Sequence, residues 1–509
     1  MTQASGLPSA TTRLFITASV MGATLMNSLD TTIANVALPH IQGSVSAARD
    51  QITWVLTSYI VSAAITIPLT GWIAGRFGRK RLMLVSILGF TLASGLCGIA
   101  TSLGEIVGFR LLQGIFGAAL LPMSQAILLD INPPEKHGQA MAVWTMGAIL
   151  GPILGPVLGG WLTDNLSWRW VFYINLPIGA LALAGLSAFL AETRSATPVK
   201  LDLFGFAALG LAIGALQLLL DRGQQLDWFY STEIRIEAAA FGMFLFMFVV
   251  QTLTAPRPFI NLALFADRNF LFCSVLGFLL GVLVFGVLSI LPQLLESLMG
   301  YPVVTTGLVM APIGIGTLVS ITVVRRIANR VDGRVLMLCG LVLTAVAVFM
   351  LSGMSLQMGP AFVTFAGFCQ GMGTGLLFVP LSTLAFATLP ANFRNEGAAM
   401  FTLIRNLGSS IGISAFQVLS YRNTETVRAR LSEGLRPDNP LAANLSGHFS
   451  LTDPAGIAAL SGEVERQAQM VAYIDGFWLL GVLAIASIPL ILLMRTPRRG
   501  AAAVAVHLD

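Results

Sequence analysis

The sequence predicts an all-α integral membrane protein with fourteen transmembrane helices in a six-plus-two-plus-six order. Hydrophobic residues make up 55% of the 509-residue chain and charged residues only 10%, whereas a soluble protein of this length would carry about a quarter charged residues. This composition excludes a soluble multidomain enzyme, a disordered chain and a collagen-like chain. A series of long apolar runs and an internal repeat then predict the number and order of the helices.

Fourteen apolar runs follow one another along the chain, each close to the roughly 20 residues that a helix needs to cross a bilayer. The first run is too long for a signal-peptide core and has no small-residue cleavage site, so we expect it to be retained. The predicted spans lie at about 14–38, 53–75, 82–101, 105–128, 139–163, 170–191, 202–221, 234–255, 270–295, 304–324, 335–355, 360–386, 396–421 and 472–494.

Lysine and arginine orient these spans, because cytoplasmic loops carry an excess of both. With the N-terminus inside the cell, cytoplasmic segments hold 18 of the 29 cations, and the opposite side holds 9, of which five lie in one long loop at about 422–471. We therefore predict a multi-pass membrane protein with both termini in the cytoplasm. The long periplasmic loop is expected to be either a solvated hairpin or a docking surface for a periplasmic partner.

Two pairs of similar segments indicate that the halves of the chain are duplicated. RFGRKRLML at 76–84 matches RVDGRVLML at 330–338, and QGIFGAALLPMS at 113–124 matches QGMGTGLLFVPLS at 370–382. The matches occur in the same order, at an offset of about half the chain. Membrane proteins built from parallel repeats are typically secondary transporters with a site near the midplane.

The repeat divides the chain into three predicted parts. A six-helix half occupies 1–191, two inserted helices with their linkers occupy 192–269, and a second six-helix half occupies 270–509 and contains the long loop. Two extra spans preserve orientation, so the second half keeps the topology of the first.

Three ionisable residues lie deep in predicted spans, where they are costly and mark candidate functional sites. Asp30 lies roughly 13 Å and Arg110 roughly 8 Å below the outer surface, and Arg405 roughly 13 Å from the inner one. Because Asp30 and Arg110 have similar depth and opposite charge, we expect a hydrogen-bonded pair, which is either a static ion pair or a proton switch. Arg405 is expected either to offset substrate or carboxylate charge or to form a structural pair.

Further polar residues are candidates for a substrate cavity. Glu296, near the outer end of the ninth span, is expected either to face water or to bind a proton or cation. Several amides are expected to line a cavity or to bind neighbouring helices: Asn27, Gln113, Gln125, Gln293 and Asn406. The 4 Cys and 4 His are scattered, so we predict neither a disulfide nor a metal site.

The fifth span, GAILGPILGPVLGGWL at 147–162, combines a glycine stripe with two prolines. Glycine at every fourth position lets another helix approach closely, and each proline removes a backbone hydrogen bond and bends the helix. We expect this helix to form a flexing, water-tight seam between the halves. The residues concerned are Gly147, Gly151, Pro152, Gly155, Pro156 and Gly159.

The loop GWIAGRFGRKR at 71–81 combines glycines with a dense basic cluster. It is expected to act either as an orientation signal alone or as a latch that closes the inner face against neighbouring helices. The residues concerned are Gly71, Gly75, Arg76, Gly78, Arg79 and Lys80.

Taken together, these motifs resemble the EmrB-type (EmrB/QacA) drug:proton antiporters, the fourteen-span branch of the major facilitator superfamily. The likeness extends from the first span to the last. Besides the glycine–proline span, it is carried by LDTTIANVALP (29–39), RLLQG (110–114), WRWVFYINLPIG (168–179), LDRGQQLDWF (220–229) and LFADRNF (264–270).

The resemblance implies a major facilitator fold in the bacterial inner membrane and drug efflux driven by the proton gradient, without a cofactor. It matches Arg110 to the family's fourth-span arginine, which is linked to proton transfer, and Asp30 to the first-span acid, while the glycine–proline motif marks antiporters. Such proteins work with an EmrA-like periplasmic adaptor and a TolC-like outer-membrane channel to expel hydrophobic compounds. Gly75 stands where the superfamily usually has an aspartate, so an aspartate latch is not expected there.

Three alternatives to multidrug efflux are compatible with a membrane protein of this composition. A dedicated exporter of a siderophore or other metabolite is the nearest. A membrane enzyme is disfavoured because the sequence contains no Ser-His-Asp, HExxH or paired-carboxylate motif and no phosphate-binding loop. A non-transporting sensor or scaffold is disfavoured because it has little reason to bear the cost of Asp30 and Arg110.

Overall fold

The computed structural model describes residues 8–48, 51–192, 201–327, 330–390, 393–435 and 453–494. Within these ranges the regular structure is helical and no strand occurs. The α-helices are α1 (Ala10–Ser44), α2 (Trp54–Phe77), α3 (Arg79–Ile99), α4 (Leu103–Gly117), α5 (Leu120–Ile131), α6 (His137–Asn165), α7 (Trp170–Tyr173), α8 (Asn175–Phe189), α9 (Leu203–Arg222), α10 (Thr232–Thr254), α11 (Ala263–Ala266), α12 (Arg268–Gln293), α13 (Val303–Ile327), α14 (Gly333–Ser352), α15 (Pro360–Ala387), α16 (Arg394–Glu433), α17 (Pro454–Ala486) and α18 (Ile488–Leu492).

Each apolar run of the sequence falls on one helix or on consecutive helices. Among the described residues, 12 helical segments are long and apolar enough to cross a membrane. α1 and α16 are also long enough, but they are less apolar because they carry the polar residues of the candidate site. The all-helical membrane architecture predicted from the sequence is therefore present.

Similar helix pairings recur in the two halves. α1 packs on α6 as α12 packs on α16, α2 packs on α4 as α13 packs on α15, and α3 packs on α4 as α14 packs on α15. Between the halves, α2 contacts α16 and α6 contacts α13. The recurrence agrees with the duplication inferred from the repeated segments, and the two contacts enclose a space between the halves.

The two inserted helices form a hairpin beside this space. Asp202 caps α9 by accepting a hydrogen bond from the Gly205 amide at 2.9 Å, and it accepts another from Gln251 of α10 at 3.0 Å. α9 packs on α2 and also contacts α16, whereas α10 packs mainly on α9. The first inserted helix is therefore an inner element and the second an outer one.

The segment predicted as a long loop at about 422–471 is helical at both ends. α16 continues to Glu433 and α17 begins at Pro454, while residues 436–452 lie outside the described ranges. The 40 residues of α16 span about 60 Å, roughly twice the hydrocarbon thickness. The loss of hydropathy at 422 marks where the apolar stretch ends, and the helix continues because Arg, Ala, Leu and Glu are good helix formers.

Candidate functional site

Asp30 and Arg110 lie side by side in the interior of the first half, with 0% and 1% of their surfaces exposed. Nη1 of Arg110 donates a hydrogen bond to Oδ2 of Asp30 at 2.6 Å, and Nε donates to the carbonyl of Val55 at 3.0 Å. Nη1 also donates to Oε1 of Gln113 at 2.8 Å. Asp30 and Arg110, which we expected to pair because of their similar depth and opposite charge, are thus in direct contact.

Amide donors complete the surroundings of the Asp30 carboxylate. Its Oδ1 accepts hydrogen bonds from Gln113 Nε2 at 2.9 Å and from Asn175 Nδ2 at 3.1 Å. Asn175 also donates to Ser94 at 3.0 Å, and the Ser94 hydroxyl donates to the carbonyl of Phe172 at 2.8 Å. Both carboxylate oxygens are therefore satisfied, which is the condition under which a buried charge is tolerated.

A cavity of about 370 Å³, here called the central cavity, lies between the two halves. Its wall is mostly apolar and is formed by α1, α2, α4, α5, α6, α9, α12, α13, α15 and α16. Polar side chains contribute the smaller part of the exposed wall, and they include Asn27, Gln217, Arg405 and Asn406. A largely apolar cavity with a few polar groups is typical of small-molecule sites.

Tyr59 lies between this cavity and the buried charge pair. The guanidinium carbon of Arg110 is 4.3 Å from the centre of the Tyr59 ring, a cation–π distance. The Tyr59 hydroxyl accepts a hydrogen bond from Asn27 Nδ2 at 2.9 Å. Tyr59 and Asn27 line the central cavity, whereas Asp30 does not, so the ring contacts both the cavity and the pair.

A second cavity of about 640 Å³, the outer cavity, continues from the first toward the end where α2 begins and α16 ends. Ile60, Gln217, Ser410 and Ile413 line both cavities. Gln293, one of the predicted cavity residues, lies in the wall of the outer cavity. The two cavities therefore form one path toward this end of the bundle.

Arg405 is a buried cation on the wall of the central cavity, with 8% of its surface exposed. Its guanidinium carbon lies 5.5 Å from the centre of the Phe378 ring and 5.9 Å from that of Trp144, and its Nη2 donates to Asn406 at 3.5 Å. Within the described ranges it forms no ion pair with a carboxylate. Arg405 therefore lacks, among the described residues, the carboxylate partner that a structural ion pair would require.

Three of the predicted cavity residues lie elsewhere. Gln113 belongs to the hydrogen-bond network of the charge pair. Gln125 is fully buried and its amide lies 3.8 Å from the sulfur of Met141. Glu296 lies in the short π-helix Leu294–Leu298 and is exposed, on the side of this turn opposite to the buried Leu294, Leu295 and Leu298.

The glycine stripe of α6 faces α1, within the same half. A side-chain carbon on Gly151 would collide with Ser28, and one on Gly155 would collide with Thr32. The Thr32 hydroxyl donates to the carbonyl of Gly151 at 3.3 Å. The same face of α6 carries all four glycines: Gly147, Gly151, Gly155 and Gly159.

Residues outside the glycine stripe make the contact of α6 with the second half. The Cγ2 of Val157 is 3.2 Å from the position that a Cβ would occupy on Gly307 of α13. Pro152 faces the central cavity, and Pro156 lies one turn further along the helix. The stripe itself is therefore a seam between α1 and α6, and α6 meets the second half along a different face.

An ion-pair cluster joins the halves at the end of the bundle where α2 ends and α16 begins, here called the basic end. Asp130 of α5 pairs with Arg79 of α3, and its Oδ1 is 3.1 Å from Nη1 of Arg394 of α16. A Cβ on Gly71 of α2 would lie only 3.0 Å from the Cα of Glu396. These contacts close the space between the halves at the basic end.

The remaining residues of the basic loop have local roles. Gly78 has a φ of +95°, which disfavours any residue with a Cβ. Lys80 donates to a carbonyl of α8 at 2.7 Å, and the Arg76 guanidinium carbon is 5.6 Å from the centre of the Trp72 ring. No described atom of another helix lies within 4 Å of a Cβ placed on Gly75. The ion pairs between the halves at this end thus involve Asp130, and Gly75 makes no close contact with another helix.

The family model described as Major Facilitator Superfamily matches residues 20–413. The chain belongs to the major facilitator superfamily. Its members are transporters, so the chain is a transporter and not an enzyme.

Curated relatives specify the branch of the superfamily. The chain is 35% identical over 476 residues to the multidrug export protein EmrB of Haemophilus influenzae, covering 92% of each chain. It is 33% identical to the fatty acid resistance protein FarB of Neisseria gonorrhoeae, covering 95% of this chain and 96% of FarB. The predicted EmrB-type family is confirmed.

A solved structure with little sequence likeness shows the same fold. The proton:xylose symporter XylE superposes with a TM-score of 0.62 at 14% identity, covering 94% of this chain and 95% of the symporter. This superposition confirms the major facilitator fold of the helices described above.

Proposed function

We propose that the chain is a proton-coupled multidrug efflux antiporter that exports hydrophobic toxic compounds by alternating access. The observation that carries the proposal is the buried Asp30–Arg110 pair, which one side chain, Tyr59, separates from an apolar cavity. The printed names of the EmrB relatives support multidrug export. Because burying two charges in a membrane protein is costly, the pair is expected to take part in transport.

In this mechanism a proton from outside the cell reaches Asp30 and cancels its negative charge. The hydrogen bond from Arg110 then weakens, because a neutral acid attracts a guanidinium less than a carboxylate does. A shift of the guanidinium alters its contact with the Tyr59 ring, and Tyr59 holds Asn27 in the cavity wall. Protonation thus changes the shape of the cavity, and a compound that displaces Tyr59 acts on the pair in return.

The proton gradient supplies enough free energy for this work. One charge that crosses a potential of about 150 mV releases about 3.5 kcal/mol. Each tenfold step in the concentration ratio of the exported compound costs about 1.4 kcal/mol, so one proton supports a ratio of several hundredfold.

The proposal includes a complete membrane arrangement. All fourteen long helical segments cross the inner membrane as six, two and six, with the basic end and both termini in the cytoplasm, as the lysine and arginine distribution favours. The Arg79–Asp130–Arg394 cluster then closes the cytoplasmic side, and the central cavity continues through the outer cavity to the periplasmic side. This arrangement is an outward-open stage of the transport cycle.

The positive charge of Arg405 is expected to make the central cavity prefer some hydrophobic compounds over others. It is the cation on the wall of the central cavity, and the described lining of that cavity contains no carboxylate. A buried charge without a partner is stabilised by an opposite charge on the ligand, so hydrophobic compounds with an acidic group are expected to bind best. The name of the FarB relative, a fatty acid resistance protein, is in keeping with this preference.

This charge also supports a second candidate function, the dedicated export of one anionic metabolite such as a siderophore. A resistance panel in an efflux-deficient host separates the two functions. Protection against several unrelated hydrophobic compounds supports multidrug efflux, whereas protection against a single anionic compound supports the dedicated exporter.

The proposal extends to a tripartite pump with an EmrA-like periplasmic adaptor and a TolC-like outer-membrane channel. α16 and α17 extend beyond the apolar stretches and are linked by Arg428 and Glu465, whose closest charged atoms are 3.6 Å apart. Removing residues 436–452 should therefore lower resistance in cells with the adaptor more than transport in liposomes. Equal losses in both assays would mean that the segment serves folding instead.

The direct test of proton coupling is the Asp30→Asn substitution in proteoliposomes. Asparagine keeps the shape of the side chain but cannot exchange a proton, so proton movement driven by a transported hydrophobic dye should fall to background while the dye still binds. Asp164→Asn is the matched control, because Asp164 is exposed at the end of α6 and should leave coupling unchanged. Undiminished coupling in Asp30→Asn would remove Asp30 from the mechanism.

A further inference from the structure

The first inserted helix differs from the second in how deeply it lies in the protein. Half of the most apolar stretch of α9 is buried (50%), against only 6% for α10. α9 packs on α2 of the first half and contacts α16 of the second. A helix that only linked two halves would not need to fill the groove between them.

One face of α9 carries two small residues followed by two polar ones. Gly210, Gly214, Gln217 and Asp221 are spaced so that they lie on the same side of a helix. A Cβ on either glycine would lie 3.1 Å from the side chain of Ile65 in α2. The glycines therefore let α9 approach α2 closely, and this approach brings the polar part of the face to the cavities.

Hydrogen bonds from this polar part reach both halves of the protein. Gln217 Nε2 donates to the Ser410 hydroxyl of α16 at 2.9 Å, and the Ser414 hydroxyl donates to the carbonyl of Leu220 at 3.0 Å. The Asp221 carboxylate accepts a hydrogen bond from Thr57 of α2. α9 is thus bonded into the space between the halves.

Gln217 lies where the two cavities meet. It lines both of them, and 5% of its surface is exposed. Its Nε2 is occupied by Ser410, whereas its Oε1 accepts no hydrogen bond from the described residues. A compound that passes from the central to the outer cavity therefore passes between the residues that line both, which are Ile60, Gln217, Ser410 and Ile413.

We propose that α9 is a third wall of the export path and that Gln217 binds the exported compound there. An acceptor on the wall of a largely apolar cavity favours hydrophobic compounds that carry a hydroxyl or N–H donor, because a hydrogen bond is stronger in such surroundings than in bulk water. The inference rests on the proposed use of the central cavity as the substrate site, but it does not depend on proton coupling.

The first test measures whether a compound covers Gln217. Single cysteines are introduced into a protein whose Cys97, Cys273, Cys339 and Cys369 are replaced, and a membrane-impermeant thiol reagent is applied with and without an alkylated 7-hydroxycoumarin. Gln217→Cys should react, and the coumarin should slow the reaction severalfold. Leu121→Cys, on the wall of the central cavity alone, reports on the cavity, and Tyr230→Cys, in the exposed turn between α9 and α10, should react at the same rate with and without the coumarin.

The two cavity positions separate the possible failures. Protection of Leu121→Cys without protection of Gln217→Cys would overturn the inference and leave the proposed function intact. Absence of protection at both positions would overturn the use of the central cavity itself, and the inference with it.

The second test measures the preference for a donor. The probes are the 7-hydroxycoumarin and its 7-methoxy counterpart with the same alkyl chain, which differ by one O–H group. Gln217→Leu should reduce transport of the hydroxyl compound about fivefold, the effect of one hydrogen bond, and leave the methoxy compound within about twofold. Gln467→Leu, on the exposed surface of α17, is the matched control, and equal losses for both compounds in Gln217→Leu would contradict the proposal.

Discussion

At the residue scale, the charge pair persists in an apolar interior because its neighbours satisfy it. Three side chains supply hydrogen bonds to Asp30, namely Arg110, Gln113 and Asn175. Removing one partner of such a pair costs about 3–5 kcal/mol, so truncation of Arg110 is expected to disturb folding as well as transport. Conservative substitutions around the pair are therefore more informative than truncations.

Tyr59 offers such a substitution. Tyr59→Phe keeps the ring over Arg110 but removes the hydrogen bond with Asn27, whereas Tyr59→Leu removes both contacts. We expect proton release on addition of a transported dye to fall about fivefold in Tyr59→Phe, from the loss of one hydrogen bond, and further in Tyr59→Leu. Stopped-flow measurement with a pH indicator dye checks this.

The control is Tyr173→Phe, since Tyr173 lies outside both cavities. If the two Tyr59 variants released protons like the unaltered protein, Tyr59 would not connect the cavity to the pair.

The pairing of Asp30 with Arg110 could be predicted from the sequence, but its surroundings could not. Few other charged residues lie deep in the predicted spans, so depth and opposite charge were sufficient to predict this pair. Gln113 lies three residues after Arg110, on the same side of α4, and this spacing was an available signal. Asn175 and Tyr59 come from other helices, and their positions depend on how α8 and α2 are rotated, which a single sequence does not show.

At the element scale, α6 is held against α1 by its glycines rather than by side-chain interdigitation. A side chain on Gly151 would meet the backbone of α1, which cannot rotate away as a flexible side chain can. Ser28 and Thr32 face both this seam and the central cavity. A change in the spacing of α1 and α6 would therefore reshape the substrate path.

This packing predicts that Gly151→Ala lowers both stability and transport. Overpacking costs about 1–3 kcal/mol, so thermal unfolding in detergent should begin several degrees lower. Gly160→Ala is the matched control in the same helix, because its Cβ would meet only Val36, at 4.0 Å. Equal effects of the two substitutions would show that the loss arises from the helix itself and not from the seam.

The sequence predicted the positions of the helices more accurately than their roles in the fold and the cavities. Hydropathy located the apolar runs, but it could not show that α16 continues as a helix to Glu433, since a polar helix gives no apolar signal. The role of α9 was also missed, although the spacing of Gly210, Gly214, Gln217 and Asp221 on one face was visible in the sequence. Asp130 and Arg394 lie at helix ends, where charges are expected, so nothing singled them out.

At the scale of the whole molecule, the structure combines a closed end with an open path. Asp130 joins the halves at the basic end through Arg79 and Arg394, and the two cavities lead from the centre to the other end. The proposed alternating access requires that these ion pairs break and that the opposite end closes. The free energy for this rearrangement is proposed to come from the proton that Asp30 accepts.

Transport of a hydrophobic fluorescent compound into inverted proteoliposomes, before and after ionophores abolish the pH difference and the membrane potential, tests this account most directly. We predict that accumulation against a gradient stops when both are abolished and returns when either is restored. Accumulation that continues undiminished without them would show that proton exchange at Asp30 does not drive export.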